Sequence, residues 1–177
     1  MAEKFLSNVN EMNLILTRAK AAVMSHDFIT AARLYKQLLK EDPSNVDYLK
    51  ELGSIYVKNS EDNKAIPIYE QIISYYPHYV EAMNSLGAIY RRLHLYPESI
   101  DILQKALSEG RQTASVYYNL GFTYKEMKKY DQAIEAFNSV ITENPADVLA
   151  HNHLGMIYLA LKQYDKSIAA FMKGLQI

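Results

Sequence analysis

Cysteine and tryptophan are absent from this chain of 177 residues, and glycine and proline are scarce, at 6 and 5. Without cysteine there is no disulfide, no thiolate nucleophile and no Cys-ligated zinc. An excess of charge of either sign is also lacking, since 19 Lys+Arg stand against 20 Asp+Glu for a formal net charge of -1. That balance supplies no general attraction to nucleic acid or anionic lipid, and neither is expected as a partner. Nowhere do about 18 apolar residues stand together as a membrane span requires, and the first residues hold no uninterrupted apolar core of a signal peptide. A cytoplasmic protein is the expectation. With 49% hydrophobic and 22% charged residues the chain is too apolar for disorder, and the shortage of helix breakers suits an all-α domain. One residue type is in excess: there are 15 tyrosines, so some feature repeatedly asks for a large amphipathic ring.

The glycines supply the explanation. Gly53, Gly87, Gly121 and Gly155 each lie 34 residues apart, within the segments ELGSIY, SLGAIY, NLGFTY and HLGMIY. Placing each at the eighth position of a unit gives repeats over 46–79, 80–113, 114–147 and a shorter 148–177, and the same frame carried backwards gives 12–45. Position 7 is Leu52, Leu86, Leu120 and Leu154, and position 11 is Tyr56, Tyr90, Tyr124 and Tyr158, one helical turn further on and on the same face. The Gly between them lets a partner helix approach, a gain that must outweigh about 1 kcal/mol of helix propensity. Position 20 is small, as Ala31, Ala65, Ser99, Ala133 and Ser167. Position 24 is bulky, as Tyr35, Tyr69, Leu103, Phe137 and Phe171, and position 17 is aromatic in four of five units, at Phe28, Tyr96, Tyr130 and Tyr164. Pro43, Pro77 and Pro145 at position 32 fall where a second helix should stop.

This pattern resembles the tetratricopeptide repeat family, whose helix-turn-helix unit carries Leu-Gly at 7 and 8, Tyr at 11, Ala at 20, an aromatic at 24 and Pro at 32. The resemblance covers residues 12 to 177. It implies a right-handed superhelical solenoid of stacked antiparallel helix pairs, with the first helix of each pair lining a concave face. Helices are expected near 5–25, 27–41, 46–59, 62–75, 80–93, 96–109, 114–127, 130–143, 148–161 and 164–176. Departures carry information. Arg18 and Ala19 replace Leu-Gly in the first unit, so its first helix is expected to be a cap with one side in water. Gly110-Arg111 replaces the third proline, which points to a left-handed glycine cap. Pro67 lies inside the second helix of its unit, which must either start late, near Asn63, or kink. The fifth unit stops before its terminal turn with no polar helix to cover it; a fragment of a longer chain, or an end buried by a partner, is expected.

Catalytic signatures are missing: no GxxxxGK, GxGxxG, GxSxG or HExxH occurs. No enzyme activity and no cofactor are expected. His151-Asn152-His153 is the nearest approach to a ligand cluster, but residues two apart on a helix diverge, and His151 occupies position 4, where packing is the expected role. The acids Glu41-Asp42, Glu61-Asp62 and Glu143 fall at helix ends or turns, where they offset the dipole and cap amides.

In the family, positions 2, 5, 9 and 12 of the first helix face the groove, with 6 or 13 sometimes joining. Here position 5 reads Lys50, Asn84, Tyr118 and Asn152; position 9 reads Ser54, Ala88, Phe122 and Met156; position 12 reads Val57, Arg91, Lys125 and Leu159. Position 6 adds Asn119 and His153, and position 13 adds Lys58 and Arg92. A basic and amide-rich strip thus adjoins an apolar one of Tyr118, Phe122, Met156 and Leu159. Asn can grip a peptide backbone, Lys and Arg its carboxylates, and the apolar end a hydrophobic anchor. The alternative is a solvated surface, with Phe122 and Met156 packing on neighbouring repeats. The pattern does not match the carboxylate clamp that binds heat-shock chaperone tails, because Lys50 is followed by Ser54, Ser85, Ser115 and Asn119. The expected function is a protein-protein adaptor binding an extended, partly acidic peptide, with candidate contacts Lys50, Asn84, Arg91, Tyr118, Asn119, Phe122, Lys125, Asn152 and Met156. The other possibility is a scaffold that self-associates through its uncovered terminal repeat.

Overall fold

A computed structural model describes residues 2–110 and 113–175, with side chains from Asn10 onward. The described residues form ten helices: α1 (Ala2–Met24), α2 (Phe28–Glu41), α3 (Val46–Lys58), α4 (Asp62–Tyr75), α5 (Val80–Arg92), α6 (Tyr96–Ser108), α7 (Thr113–Glu126), α8 (Tyr130–Glu143), α9 (Val148–Ala160) and α10 (Tyr164–Leu175). Every boundary lies within three residues of its expected place. Contacts divide the chain into two compact units, Met1–Ala82 and Met83–Ile177, with the division falling inside α5.

In the first unit α1 packs on α2, α2 on α3 and α3 on α4. Its core is formed by Leu34, Tyr35, Leu38, Leu49, Leu52, Ile55 and Ile72, all nearly inaccessible. Each such side chain gives about 1.5–3 kcal/mol on burial, the main term against chain entropy. Ala19, at the position of the missing glycine, is fully buried, while Leu14, Arg18 and Met24 are exposed, so α1 turns one side to water. Helix α4 runs unbroken through Pro67 from Asp62, without a late start.

In the second unit the helix pairs repeat the same packing. A Cβ added at Gly121 would stand 2.7 Å from Phe137 Cζ, and one at Gly87 would stand 2.5 Å from Leu103 Cγ, so positions 8 and 24 interlock as the repeat pattern requires. Position 20 has a second role where it is serine. Ser99 Oγ donates to the Gly87 carbonyl at 2.8 Å, and Ser167 Oγ donates to the Gly155 carbonyl at 2.8 Å, tying the second helix of a pair to the first.

The turn between paired helices has a feature the sequence did not advertise. His26, Ser60, His94, Lys128 and Lys162, all at position 15, take φ of 58–59°. Around Lys128 the amide of Lys129 donates to Tyr124 O at 2.9 Å and that of Lys128 to Lys125 O at 3.0 Å, the paired bonds of a Schellman cap. Gly110, with φ 68°, ends α6 in the same hand, as expected from its sequence; Arg111 lies outside the described residues.

Candidate functional site

Repeat geometry brings residues of consecutive first helices together at separations of 29, 31 or 35, which are one period with a small offset. Lys50 is the one candidate in the first unit. Its ammonium is 3.2 Å from Glu81 Oε2 and 5.7 Å from the centroid of the Tyr79 ring. Hydrogen bonding to Tyr79 and the Glu81 carboxylate raise its pKa against the opposing effect of burial.

Candidates in the second unit gather on α5, α7 and α9. Asn119 Nδ2 donates to Asn84 Oδ1 at 2.7 Å, and Asn84 Nδ2 donates to Ser115 Oγ at 3.2 Å. The two amides are therefore oriented by each other, each with hydrogen-bonding capacity left over. Arg91 forms an ion pair with Glu126, one repeat further on, and its guanidinium carbon lies 5.6 Å from the Phe122 ring centroid. Lys125 Nζ lies 5.7 Å from the same centroid, and among the described residues no carboxylate pairs with it. Phe122 is thus approached by two cations.

Phe122 is also the centre of an aromatic cluster. Its ring stacks on Tyr118 at 6.0 Å and meets Phe137 at 5.6 Å and His153 edge-on at 4.8 Å. His153 lies parallel to the fully buried Phe137, with centroids 5.1 Å apart. Burial lowers the His153 pKa, and the nearby Lys125 charge lowers it further, against a smaller pull from Asp147. His153 Nδ1 and Arg91 Nε are both buried without a hydrogen-bond partner. Tyr118 is held by a hydrogen bond to Asp147, and burial with that bond raises its pKa.

Two candidates stand apart. Asn152 turns toward its own pair, with Oδ1 3.2 Å from where a Cβ on Gly174 of α10 would be. Met156 is 53% exposed and outside the Phe122 cluster. Within the basic strip, Lys50 and Arg91 carry their own carboxylates, and Arg91 and Lys125 both lie over the Phe122 ring of the apolar one. Glu81 and Glu126 were missed as partners, although their spacing of 31 and 35 from Lys50 and Arg91 was the available signal.

Other polar groups serve structure. His151 is buried, with Nε2 3.0 Å from the Pro145 carbonyl, and lines a cleft of about 250 Å³ with Tyr158, Lys166 and Lys173, away from His153. Among the described residues there is no group of three or more His, Asp and Glu that could hold a metal ion. No helix of the described residues is long and apolar enough to cross a membrane. Asp27, Asn45 and Asp147 cap the amides of Thr30, Tyr48 and Ala150; Glu61 instead pairs with Lys64, and Glu143 accepts from Thr113.

Comparison with known proteins gives the relationship. Family models described as tetratricopeptide repeat match residues 78–142, and 16–73 together with 118–176. A search of curated protein sequences returned no match. Among solved structures, a crystal structure of MamA is 31% identical, covering 89% of this chain and 92% of that one with a TM-score of 0.81. MamA 41-end from Desulfovibrio magneticus RS-1 is 18% identical with a TM-score of 0.82, covering 93% of both chains. A tetratricopeptide repeat protein from Parabacteroides merdae ATCC 43184 is 20% identical with a TM-score of 0.82, covering 98% of this chain and 68% of that one. The latter two likenesses concern the fold alone. Repeat frame, interlocked glycines and family match agree: the chain is an all-α repeat protein and belongs to the tetratricopeptide repeat family.

Proposed function

We propose that this protein-interaction scaffold is an adaptor that holds an extended, partly acidic segment of another protein along α5, α7 and α9. Membership of the family supports the general role. The observation that carries the specific reading is the Lys125 ammonium beside the half-buried Phe122, flanked by the Asn84–Asn119 pair. A cation without its own carboxylate, an aromatic floor and pre-oriented amides are the groups that an acidic extended peptide would use. Catalysis forms no part of this role.

Affinity capture followed by mass spectrometry tests it, using the wild-type chain beside Lys125→Glu. Loss of the captured proteins with an unchanged melting temperature is expected. Equal capture by both chains would contradict the reading.

A second reading rests on α10. Tyr164, Ile168, Met172 and Leu175 are 58%, 62%, 49% and 80% exposed. The counterparts of Tyr164, Ile168 and Leu175 one repeat earlier, Tyr130, Ile134 and Ile141, pack against the core around Phe137. A second copy covering that face would make the chain a self-associating scaffold. Light scattering over a range of concentrations separates the two, since a chain that stays monomeric at high concentration would exclude self-association.

A further inference from the structure

The cleft lined by α8, α9 and α10 takes no part in the peptide reading. Its volume of about 250 Å³ lies just under the roughly 300–1,000 Å³ of sites for drug-sized ligands, which leaves room for one ring or a short acyl chain. Its apolar walls come from Ile141 of α8, Leu154 and the Tyr158 ring of α9, and Ala169 and Ala170 of α10. The two alanines keep it open. Position 23 of the repeat is filled by Leu34, Ile68 and Ile102 in the first three units but is Ala170 here, and position 22, which is Glu135 one repeat earlier, is Ala169.

Two ammonium groups border these alanines. Lys166 and Lys173 lie seven residues apart on α10, two helical turns, and so share one face. Both are exposed, and no carboxylate of the described residues pairs with either. Lys166 Nζ is 5.7 Å from the Tyr158 ring centroid. The same arrangement in the first unit has its charge answered internally. There Lys36 and Lys64 lie 5.5 and 5.9 Å from the Tyr56 centroid, and Lys64 is paired with Glu61 at 2.7 Å. Three repeats later the counterpart of Glu61 is Gln163, so the chain supplies an anion at one cleft and omits it at the other.

We propose that this cleft binds a small organic acid, a single ring or short acyl chain bearing one carboxylate, with its apolar body on Leu154, Tyr158 and Ala170 and its carboxylate between Lys166 and Lys173. The flexible lysine stems let both ammonium groups close on one head. Lys173 lies in the last turn of α10, where the negative end of the helix dipole disfavours a dianion such as phosphate and leaves a monoanion as the better fit. An exposed Lys–carboxylate pair alone gains little, and a shallow apolar contact alone does not select for charge, so affinity needs both parts in one molecule.

Phenylacetate, its neutral analogue 2-phenylethanol, and acetate are titrated into the intact isotope-labelled chain. Phenylacetate should shift the resonances of Ile141, Leu154, Tyr158, Ala169 and Ala170 saturably, and bind about tenfold more tightly than either the alcohol or acetate. Lys166→Gln and Lys173→Gln should each weaken it about threefold. Ala169→Glu introduces the residue type that position 22 carries one repeat earlier, within one turn of both lysines, and should abolish binding with the melting temperature unchanged or raised. Equal binding of the alcohol, insensitivity to Ala169→Glu, shifts centred elsewhere, or no saturable shift would each overturn the site.

Discussion

The Tyr118 hydroxyl donates to Oδ1 of Asp147, and the same oxygen accepts the Ala150 amide at 2.9 Å. One carboxylate therefore caps α9 and ties it to α7, beside the aromatic cluster.

Asp147→Ala should cost about 2–4 kcal/mol, the sum of a lost cap and a lost hydrogen bond to a charged acceptor. Tyr118→Phe removes only the second and should cost about 1–2 kcal/mol. Denaturant melts of the two variants and their combination check this, with the double variant less destabilised than the sum because the interaction is shared.

The same carboxylate predicts an acid-side loss of stability. Burial alone would raise the Asp147 pKa, but hydrogen bonds from Tyr118, the Ala150 and Leu149 amides and Asn144 together hold it below the ordinary value. The unfolded chain then binds the proton more readily than the folded one. Its stabilisation is complete above the unfolded value of about 4 and fades as pH falls through the lower folded value. Asp147→Asn should flatten stability against pH in that window.

His153 acts in the same direction at higher pH. Its folded pKa is depressed, so the unfolded chain takes up the proton first as pH falls below about 6.5, and stability declines until the folded value is passed. His153→Gln should remove this decline below about pH 6.5, as read by thermal melts.

Close packing and backbone hand can be separated at two glycines. Gly121→Ala places a Cβ 2.7 Å from the ring of buried Phe137 and should cost about 1–3 kcal/mol through overpacking. Gly110→Ala meets nothing within 4 Å, yet its φ of 68° should still cost about 1 kcal/mol. Adding a methyl to a neighbouring core residue should worsen the first and leave the second unchanged.

Replacement in the opposite sense should stabilise. Lys128 and Lys162 are exposed and hold φ of 59° without the freedom of glycine. Lys128→Gly should gain about 0.5–1 kcal/mol, relief of left-handed strain less the extra chain entropy, measurable as a higher melting temperature.

The fold was legible because the repeat imposes itself on residue types that can do only one thing. Gly53 and Tyr69 must meet if the pair is to close, and the recurrence of such a glycine and a bulky partner every 34 residues marks the helix pairs from residue 46 onward. The turns were less legible, since position 15 carries His, Ser or Lys and so gives no glycine signal for a left-handed residue. Ser99 read only as a small residue, because its bond to the Gly87 carbonyl depends on the distance between paired helices. At the candidate site the residue types were visible, but their pairing was not. Whether Arg91 is available to a ligand depends on Glu126, which lies 35 residues away in sequence yet in direct ion-pair contact in space.

Chemical-shift mapping with a synthetic peptide rich in Asp and Glu on the isotope-labelled chain tests the central claim most directly. The account predicts that the largest perturbations fall on Asn84, Asn119, Phe122, Lys125 and His153, and that Lys125→Glu abolishes them. Perturbations centred instead on Ile168 and Met172 of α10, with the Phe122 surroundings unchanged, would contradict it.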